Sequence, residues 1–229
     1  MEVLSLRRYV GARARHADAR RLEDLLDRII PQPALHARFV NTLARMEYVG
    51  VRKMLKSRRA ERIDLDGLQH LLDEAVHALR LKKAATALGA ASAAGVTTFS
   101  DADTLAGDAG EGYFQALDRR AEVELATFDG AERAEANYLL TSAAIEVRAQ
   151  AFYPIYEQRL RAHGAPFSVS AITKDEDRHL EEMSQRLNVV LGEERLGLEA
   201  VLAAEEELYA QFLSAAEAEV GAHFRMGGE

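Results

Sequence analysis

Residues 73–77 read Asp-Glu-Ala-Val-His, and residues 175–179 read Asp-Glu-Asp-Arg-His. A single glutamate stands about one helical hairpin earlier in each case, Glu47 before the first run and Glu146 before the second. Because residues three apart in a helix lie on one face, each Glu-x-x-His pair can point at a common centre. The chain therefore carries the same pattern twice, once in each of two predicted hairpins.

Both single glutamates lie on apolar helix faces. Val40 and Ala44 share the face of Glu47, and Leu139 shares the face of Glu146. Several buried carboxylates repel one another and are costly to desolvate without a counter-charge. Four carboxylates and two imidazoles can bind two divalent ions and offset most of their charge. The pattern therefore predicts a two-metal site.

Helical periodicity extends outward from the motifs over most of the chain, and no run alternates apolar and polar residues as a half-buried strand does. We expect one all-α domain, residues 1–229, built as a four-helix bundle with one long crossover. The predicted N-terminal helix, first hairpin, crossover, second hairpin and C-terminal helix span about residues 4–30, 34–91, 92–130, 131–192 and 193–224.

Capping and helix-breaking residues predict where individual helices begin, end or bend. Asp64 or Asp66 is the candidate N-cap of the second helix of the first hairpin. In the crossover, the Gly-rich stretch 95–112 is predicted as a loop, followed by a short helix at about residues 113–128. Pro154 lies inside a long helix, where we expect a kink or bulge.

The composition excludes several classes of site. The chain has no cysteine, which removes disulfides, iron–sulfur clusters and thiol catalysis. Its formal net charge of -8 argues against a general nucleic-acid or anionic-membrane binder. No targeting segment or bilayer-length apolar run is evident, so we expect a cytoplasmic protein without a membrane partner.

On these residues the sequence resembles the ferritin-like di-iron carboxylate superfamily, which combines a Glu from each of two helices with a Glu-x-x-His from each of two others. The resemblance implies six metal ligands: Glu47, Glu74, His77, Glu146, Glu176 and His179. It implies two iron ions, or a Mn/Fe pair, with O2 as co-substrate. In the oxygen-activating branch an Asp before the motif Glu hydrogen-bonds a ligand histidine, which implies that role for Asp73 and Asp175.

Several functions are consistent with this resemblance. The favoured one is an oxidase or oxygenase that acts on a small organic substrate with an external electron donor, because the extra helices can shape a substrate pocket. Iron storage or ferroxidation, rubrerythrin-type peroxide reduction and a metal-free structural bundle are the alternatives. A histidine three or four residues before the last Glu would indicate the N-oxygenase branch, but Thr173 and Ile172 stand there.

Other residues are assigned by weighing a functional role against packing. Tyr153 lies two turns after Glu146 on the same face and is a candidate catalytic residue. His70 lies four residues before Glu74 on the same face; it could line a pocket, but the sequence favours a core or surface histidine at a helix end.

Two further segments concern partners. The arginine-rich N-terminal helix could bind a phosphate-bearing partner, but pairing with the acidic C-terminal helix is the commoner arrangement. The Ala- and Gly-rich run 84–94 allows close helix approach, and a homodimer is expected.

Overall fold

The computed structural model describes residues 5–57, 63–92, 95–191 and 197–226. Within these ranges the chain forms eight α-helices and no strand, so the all-α prediction is confirmed. Helices α1 to α8 span, in order, Arg7–Arg15, Ala17–Ile29, Pro33–Ser57, Leu65–Ala91, Gly107–Glu124, Gly130–Ala162, Ser170–Val190 and Leu198–Met226. A 3-10 turn, Asp101–Asp103, precedes α5.

Two antiparallel hairpins form the centre of the bundle, α3 with α4 and α6 with α7. In the first hairpin the Lys82 amine donates a hydrogen bond to Asn41 at 2.7 Å. Further along the same two helices, Gly50 lies close to the side chain of Glu74. Asp64 caps α4, because its Oδ1 accepts a hydrogen bond from the backbone nitrogen of Gly67 at 2.8 Å. The hairpins place the two Asp-Glu-x-x-His motifs on α4 and α7.

Helix α6 lies at the middle of the molecule and packs against α1, α2, α3, α5, α7 and α8. Its fully buried residues include Tyr138 and Val147, which are nine residues apart and therefore lie on opposite sides of the helix. Burial on more than one side is expected of a helix at the centre of a bundle. α6 continues as one helix through Pro154.

The N-terminal segment differs from the predicted single helix over residues 4–30. α1 ends at Arg15 and α2 begins at Ala17, with His16 in an extended conformation between them. The Nδ1 atom of His16 accepts a hydrogen bond from the backbone nitrogen of Asp18 at 3.4 Å, so a histidine serves as the N-cap. The sequence signal was weak because this break contains no proline or glycine.

Arginines of α1 and α2 pair with acidic residues of α8, as the sequence favours. Arg13 is buried and contacts Glu205 at 3.1 Å, and it also bonds to Glu206. Arg21 binds Glu217 at 2.7 Å. This charge pairing holds the N-terminal helices against the C-terminal one.

Helix α5 starts earlier than predicted. The helix was expected at about residues 113–128, but it spans Gly107–Glu124. A Cβ atom on Gly110 would lie 3.3 Å from the side chain of Met46, and one on Gly107 would clash with Thr104 at 2.3 Å. These glycines permit close packing of a helix and do not mark a loop, which is why the composition misled the prediction.

The C-terminal helix begins at Leu198, whereas it was predicted from residue 193. Gly197 precedes it with φ +79, and a side chain there would clash with the Cβ of Glu124 at 2.6 Å. Residues 192–196 lie outside the described part of the chain. Among the described helices, none combines the length and apolar character needed to cross a membrane.

Candidate metal centre

The structure brings together the six residues that were predicted as metal ligands. They project from four helices into one place: Glu47 from α3, Glu74 and His77 from α4, Glu146 from α6, and Glu176 and His179 from α7. All are buried apart from Glu47, whose side chain is 12% exposed. This convergence is possible because both hairpins are antiparallel and point their polar positions inward.

The side chains form two groups, each with ligand atoms within 4.8 Å of one another. The first group contains His70, Glu74, Glu146 and His179, and the second contains Glu47, Glu74, His77 and Glu176. Glu74 belongs to both groups. Two neighbouring clusters that share a carboxylate can hold two cations side by side, and these groups could therefore hold metal ions.

The motif histidines have their two ring nitrogens in different surroundings. Nε2 of His77 lies 3.2 Å from Oδ2 of Asp175, and Nε2 of His179 lies 3.3 Å from Oδ2 of Asp73. Each aspartate therefore contacts the histidine of the opposite motif. Asp73 and Asp175 were predicted to contact ligand histidines, and the contacts are present in this crossed arrangement. A carboxylate on Nε2 orients the ring and makes Nδ1 a better metal ligand.

The Nδ1 atoms of both histidines face Glu176. Its Oε1 lies 3.2 Å from Nδ1 of His77 and its Oε2 lies 3.2 Å from Nδ1 of His179. One carboxylate thus spans the two imidazoles. Glu176 would therefore help to hold a cation in the cluster, where it supplies negative charge beside both rings.

The aspartate beside His179 is itself anchored. Asp73 accepts hydrogen bonds from Arg178 and, at 2.9 Å, from Gln69. Burial would raise the pKa of Asp73, but these donors and His179 lower it below the ordinary value. Asp73 is therefore held as a carboxylate that can accept the N–H of a histidine ring.

The titratable groups of the cluster have pKa values shifted in different directions. Burial raises the pKa of Glu47 and of Glu146 well above the ordinary range, and the neighbouring carboxylates raise both further. Burial would also raise the pKa of Glu176, but its hydrogen bonds lower it well below that range. Burial would lower the pKa of His77, yet contact with Glu176 and nearby negative charge raise it to about 10. Cations entering the cluster must displace these protons.

Three buried polar atoms of the cluster residues lack hydrogen-bond partners: Nδ1 of His70, Nδ1 of His77 and Oε2 of Glu146. Nδ1 of His77 lies 3.2 Å from Glu176, outside hydrogen-bond geometry. Leaving such an atom unsatisfied costs about 1–3 kcal/mol. Coordination of a cation would satisfy the atoms of His77 and Glu146, so the residues present fit a metal site.

His70 was not predicted as a ligand: the sequence favoured a core or surface histidine, and the structure places it in the core, lining the cavity and within one of the two groups that could hold a metal ion. Its ring stacks on that of His179, with centroids 3.9 Å apart and an interplanar angle of 22°. Its Nε2 lies 3.2 Å from Oε1 of Glu146. Its position four residues before Glu74, on the same helix face, was the available signal.

Tyr153 contacts the cluster directly. Its hydroxyl donates a hydrogen bond to Oε1 of Glu47, and burial together with the charge of Glu47 raises the pKa of the phenol well above its ordinary value. Tyr48, beside Glu47 in sequence, is exposed and stacks on Phe99 instead. Tyr153 therefore holds the Glu47 carboxylate and keeps a proton next to it.

An apolar cavity of about 90 Å³ adjoins the cluster. On the cluster side it is lined by Glu47, Glu74, Glu146, Glu176 and His70. The rest of its lining consists of Leu43, Met46, Gly50, Lys53, Met54, Tyr113, Phe114, Ser142, Ile145, Arg148, Ala149, Phe152, Tyr153, Tyr209 and Phe212. A mostly apolar cavity with a few convergent polar groups is typical of a small-molecule site.

Gly50 keeps space open where the cavity meets the cluster. It lies one turn after Glu47 in α3, and a Cβ atom there would lie 3.1 Å from Oε2 of Glu74. Glycine inside a helix costs about 0.5–1 kcal/mol relative to alanine. The missing side chain leaves room for the Glu74 carboxylate and for a molecule beside it.

A buried ion pair forms part of the cavity wall. Arg148 donates to Glu205 through Nε at 2.7 Å and Nη2 at 3.0 Å, and Glu205 also accepts from Tyr113 at 2.9 Å. Burial would lower the pKa of Arg148, but Glu205 raises it above the ordinary value. The guanidinium lies 3.8 Å from the ring centroid of Tyr209. Because Glu205 also contacts Arg13 at 3.1 Å, this carboxylate is shared by two buried arginines, one of which lines the cavity.

Comparison with known proteins identifies no relative: the chain matches no protein-family model, no curated protein and no solved structure.

Proposed function

We propose that the two Glu/His groups form a two-metal carboxylate centre. The donor set supports this, because carboxylate and imidazole ligands suit divalent iron and manganese. The shared Glu74, the Glu176 carboxylate between two imidazoles and the unsatisfied atoms of His77 and Glu146 all support a pair of cations. A cluster of four carboxylates, three of them buried, is otherwise costly.

The metal pair proposed is Fe/Fe or Mn/Fe, as implied by the resemblance to ferritin-like di-iron proteins. When bound, such a pair supplies redox chemistry with O2 as co-substrate, and an external donor supplies electrons. The crossed contacts of Asp73 and Asp175 with the motif histidines support this assignment, since they fix the rings with Nδ1 toward the cluster.

The proposed reaction is oxidation of a small, largely apolar organic molecule. The observation that carries this proposal is the apolar cavity that adjoins the cluster carboxylates. Phe114, Phe152 and Phe212 in its wall would exclude water and hold the substrate against the centre. Tyr153 would hold a proton at the Glu47 carboxylate, next to the reacting region.

The cavity also separates this proposal from its alternatives. An iron store or ferroxidase needs a polar path for hydrated cations, and the wall described here is mainly apolar. Rubrerythrin-type peroxide reduction calls for no organic substrate and leaves the cavity without a role. A metal-free bundle would leave the polar atoms of His77 and Glu146 buried and unsatisfied.

The first test is metal content after anaerobic loading with ferrous iron. Wild-type protein should retain about two ions per chain, and a variant with Glu74→Ala and Glu176→Ala should retain none. Glu181→Ala provides a matched control, because it changes an exposed carboxylate of the same helix as Glu176. Absence of bound metal from the wild type would rule out the centre.

The second test distinguishes oxidation of a substrate from ferroxidation. The reduced, iron-loaded protein is mixed with O2 in the presence of small aromatic and aliphatic compounds, and O2 consumption and products are measured. Turnover beyond the amount of bound iron, with an oxidised organic product, is expected. Consumption that stops at stoichiometric iron oxidation with every compound and reductant would support iron handling instead.

A further inference from the structure

Helix α4 has a second apolar face that the described parts of the chain leave uncovered. Leu65, Leu68, Leu72 and Leu79 are 80%, 50%, 55% and 52% exposed. The opposite face of the same helix carries the buried cluster residues. An apolar face of a helix normally packs against another helix, and within the described residues this face has none against it.

The exposed leucines follow a heptad repeat. Leu65 and Leu68 are three residues apart, Leu72 follows after four, and Ala75 and Leu79 repeat the same steps. These are the a and d positions of two heptads, the spacing by which one helix packs along another in a coiled coil. The face is therefore shaped for a partner helix with the same spacing.

The exposed charges at the two ends of α4 differ in sign. Asp66 is exposed in the first turn of the helix, while Arg80 and Lys83 are exposed just beyond Leu79. A parallel pair of α4 helices would place like charges together. An antiparallel pair would place the acidic end of each helix beside the basic end of the other, which is the favourable arrangement.

We infer that α4 is the interface of a two-fold symmetric homodimer, in which it packs antiparallel against α4 of a second copy. With the axis near Leu72, Leu65 lies beside the partner's Leu79, and Leu72 meets the partner's Leu72. The same patch serves both copies, as a closed two-fold interface requires. The inference does not depend on the metals, because the cluster residues occupy the other face of the helix.

The oligomeric state provides the first test. Light scattering after gel filtration, over a concentration series, should give twice the chain mass of 25.3 kDa for the wild type and one chain mass for Leu72→Asp. Val123→Asp, at a 66% exposed position on α5, should remain dimeric. Circular dichroism should show unchanged helix content in both variants. A monomeric wild type, or a dimeric Leu72→Asp variant, would overturn the inference.

Disulfide trapping tests the orientation, and the lack of native cysteine makes it specific. Leu72→Cys should cross-link to itself under mild oxidation. Leu65→Cys alone should not, because the two copies of residue 65 would lie about 21 Å apart along the helix axes, beyond the reach of a disulfide. Mixing Leu65→Cys with Leu79→Cys should restore cross-linking. Efficient self-linking of Leu65→Cys would instead show a parallel pair and overturn the antiparallel arrangement.

Discussion

The two hairpins bring the same Asp-Glu-x-x-His motif to the centre, but they differ one helical turn before it. That position is His70 in α4 and Ile172 in α7. Both side chains are buried, yet Ile172 packs in the apolar core while His70 stacks on His179 and faces Glu146. A repeated sequence pattern thus folds into two unequal groups.

The inequality has a chemical consequence. One group combines two imidazoles with two carboxylates, and the other combines one imidazole with three carboxylates. Imidazole suits iron, zinc and copper, whereas carboxylate suits manganese and magnesium. We therefore expect the two positions to bind with different affinities and to favour different metals, which is relevant to the choice between Fe/Fe and Mn/Fe.

The largest effect is expected at the residue that the groups share. Glu74→Ala should abolish binding at both positions, because Glu74 belongs to both groups, whereas Glu47→Ala should leave one ion bound. Metal-to-protein ratios after anaerobic loading and desalting measure this difference. Full retention of one ion by Glu74→Ala would show that the groups are independent.

The second-largest effect on metal binding is expected at the position where the two hairpins differ, His70 in α4 and Ile172 in α7. His70→Phe keeps an aromatic ring to stack on His179 but removes the nitrogen that faces Glu146, so the two-imidazole position should lose its ion. Ile172→Val, at the equivalent position of α7, is the matched control and should retain both. Titration calorimetry resolves the two binding steps, and an unchanged isotherm for His70→Phe would exclude it as a ligand.

A buried histidine outside the cluster, His36, makes the stability of the protein depend on pH. Burial lowers the pKa of His36 to about 4, and its Nε2 lies 2.7 Å from the hydroxyl of Tyr156. In the unfolded chain the histidine takes up a proton near pH 6.5, whereas in the folded protein it does so only near pH 4. The free energy of unfolding is therefore fully retained above pH 6.5 and decreases as the pH falls from 6.5 to about 4. The loss attributable to His36 is about 3 kcal/mol.

Urea unfolding at a series of pH values measures this loss. His36→Gln keeps a hydrogen-bonding group beside Tyr156 but cannot titrate, so the difference between its pH profile and that of the wild type isolates the histidine. Parallel profiles between pH 7 and 4 would contradict the expected neutral state of His36.

The smallest effect is expected from the residues that orient the rings. Asp73→Asn and Asp175→Asn should each weaken metal affinity by about 10–100-fold while leaving both ions bound at high concentration, because the ligands remain. The crossed contacts predict that Asp175→Asn affects the position of His77, and Asp73→Asn that of His179. Competition with a chelator measures the affinity of each metal position separately. If each substitution instead weakened the position of the histidine in its own motif, the crossed arrangement would be refuted.

Local spacing explains why much of the site could be predicted. Glu74 with His77, and Glu176 with His179, share helix faces whatever the surroundings. The pairing of each aspartate with the opposite histidine could not be predicted in the same way, because it depends on how α4 and α7 meet. His70 was missed for the same reason: its partners Glu146 and His179 lie on other helices.

By itself the sequence determined the helical architecture, the two hairpins and six of the seven residues gathered at the centre, because apolar periodicity and residue spacing act within single helices. Only the tertiary structure decided that Gly107 lies within a helix, that His16 ends one, that His70 joins the cluster and that a cavity opens beside it. These features depend on the distances and rotations between helices, which are set by packing among residues far apart in the chain.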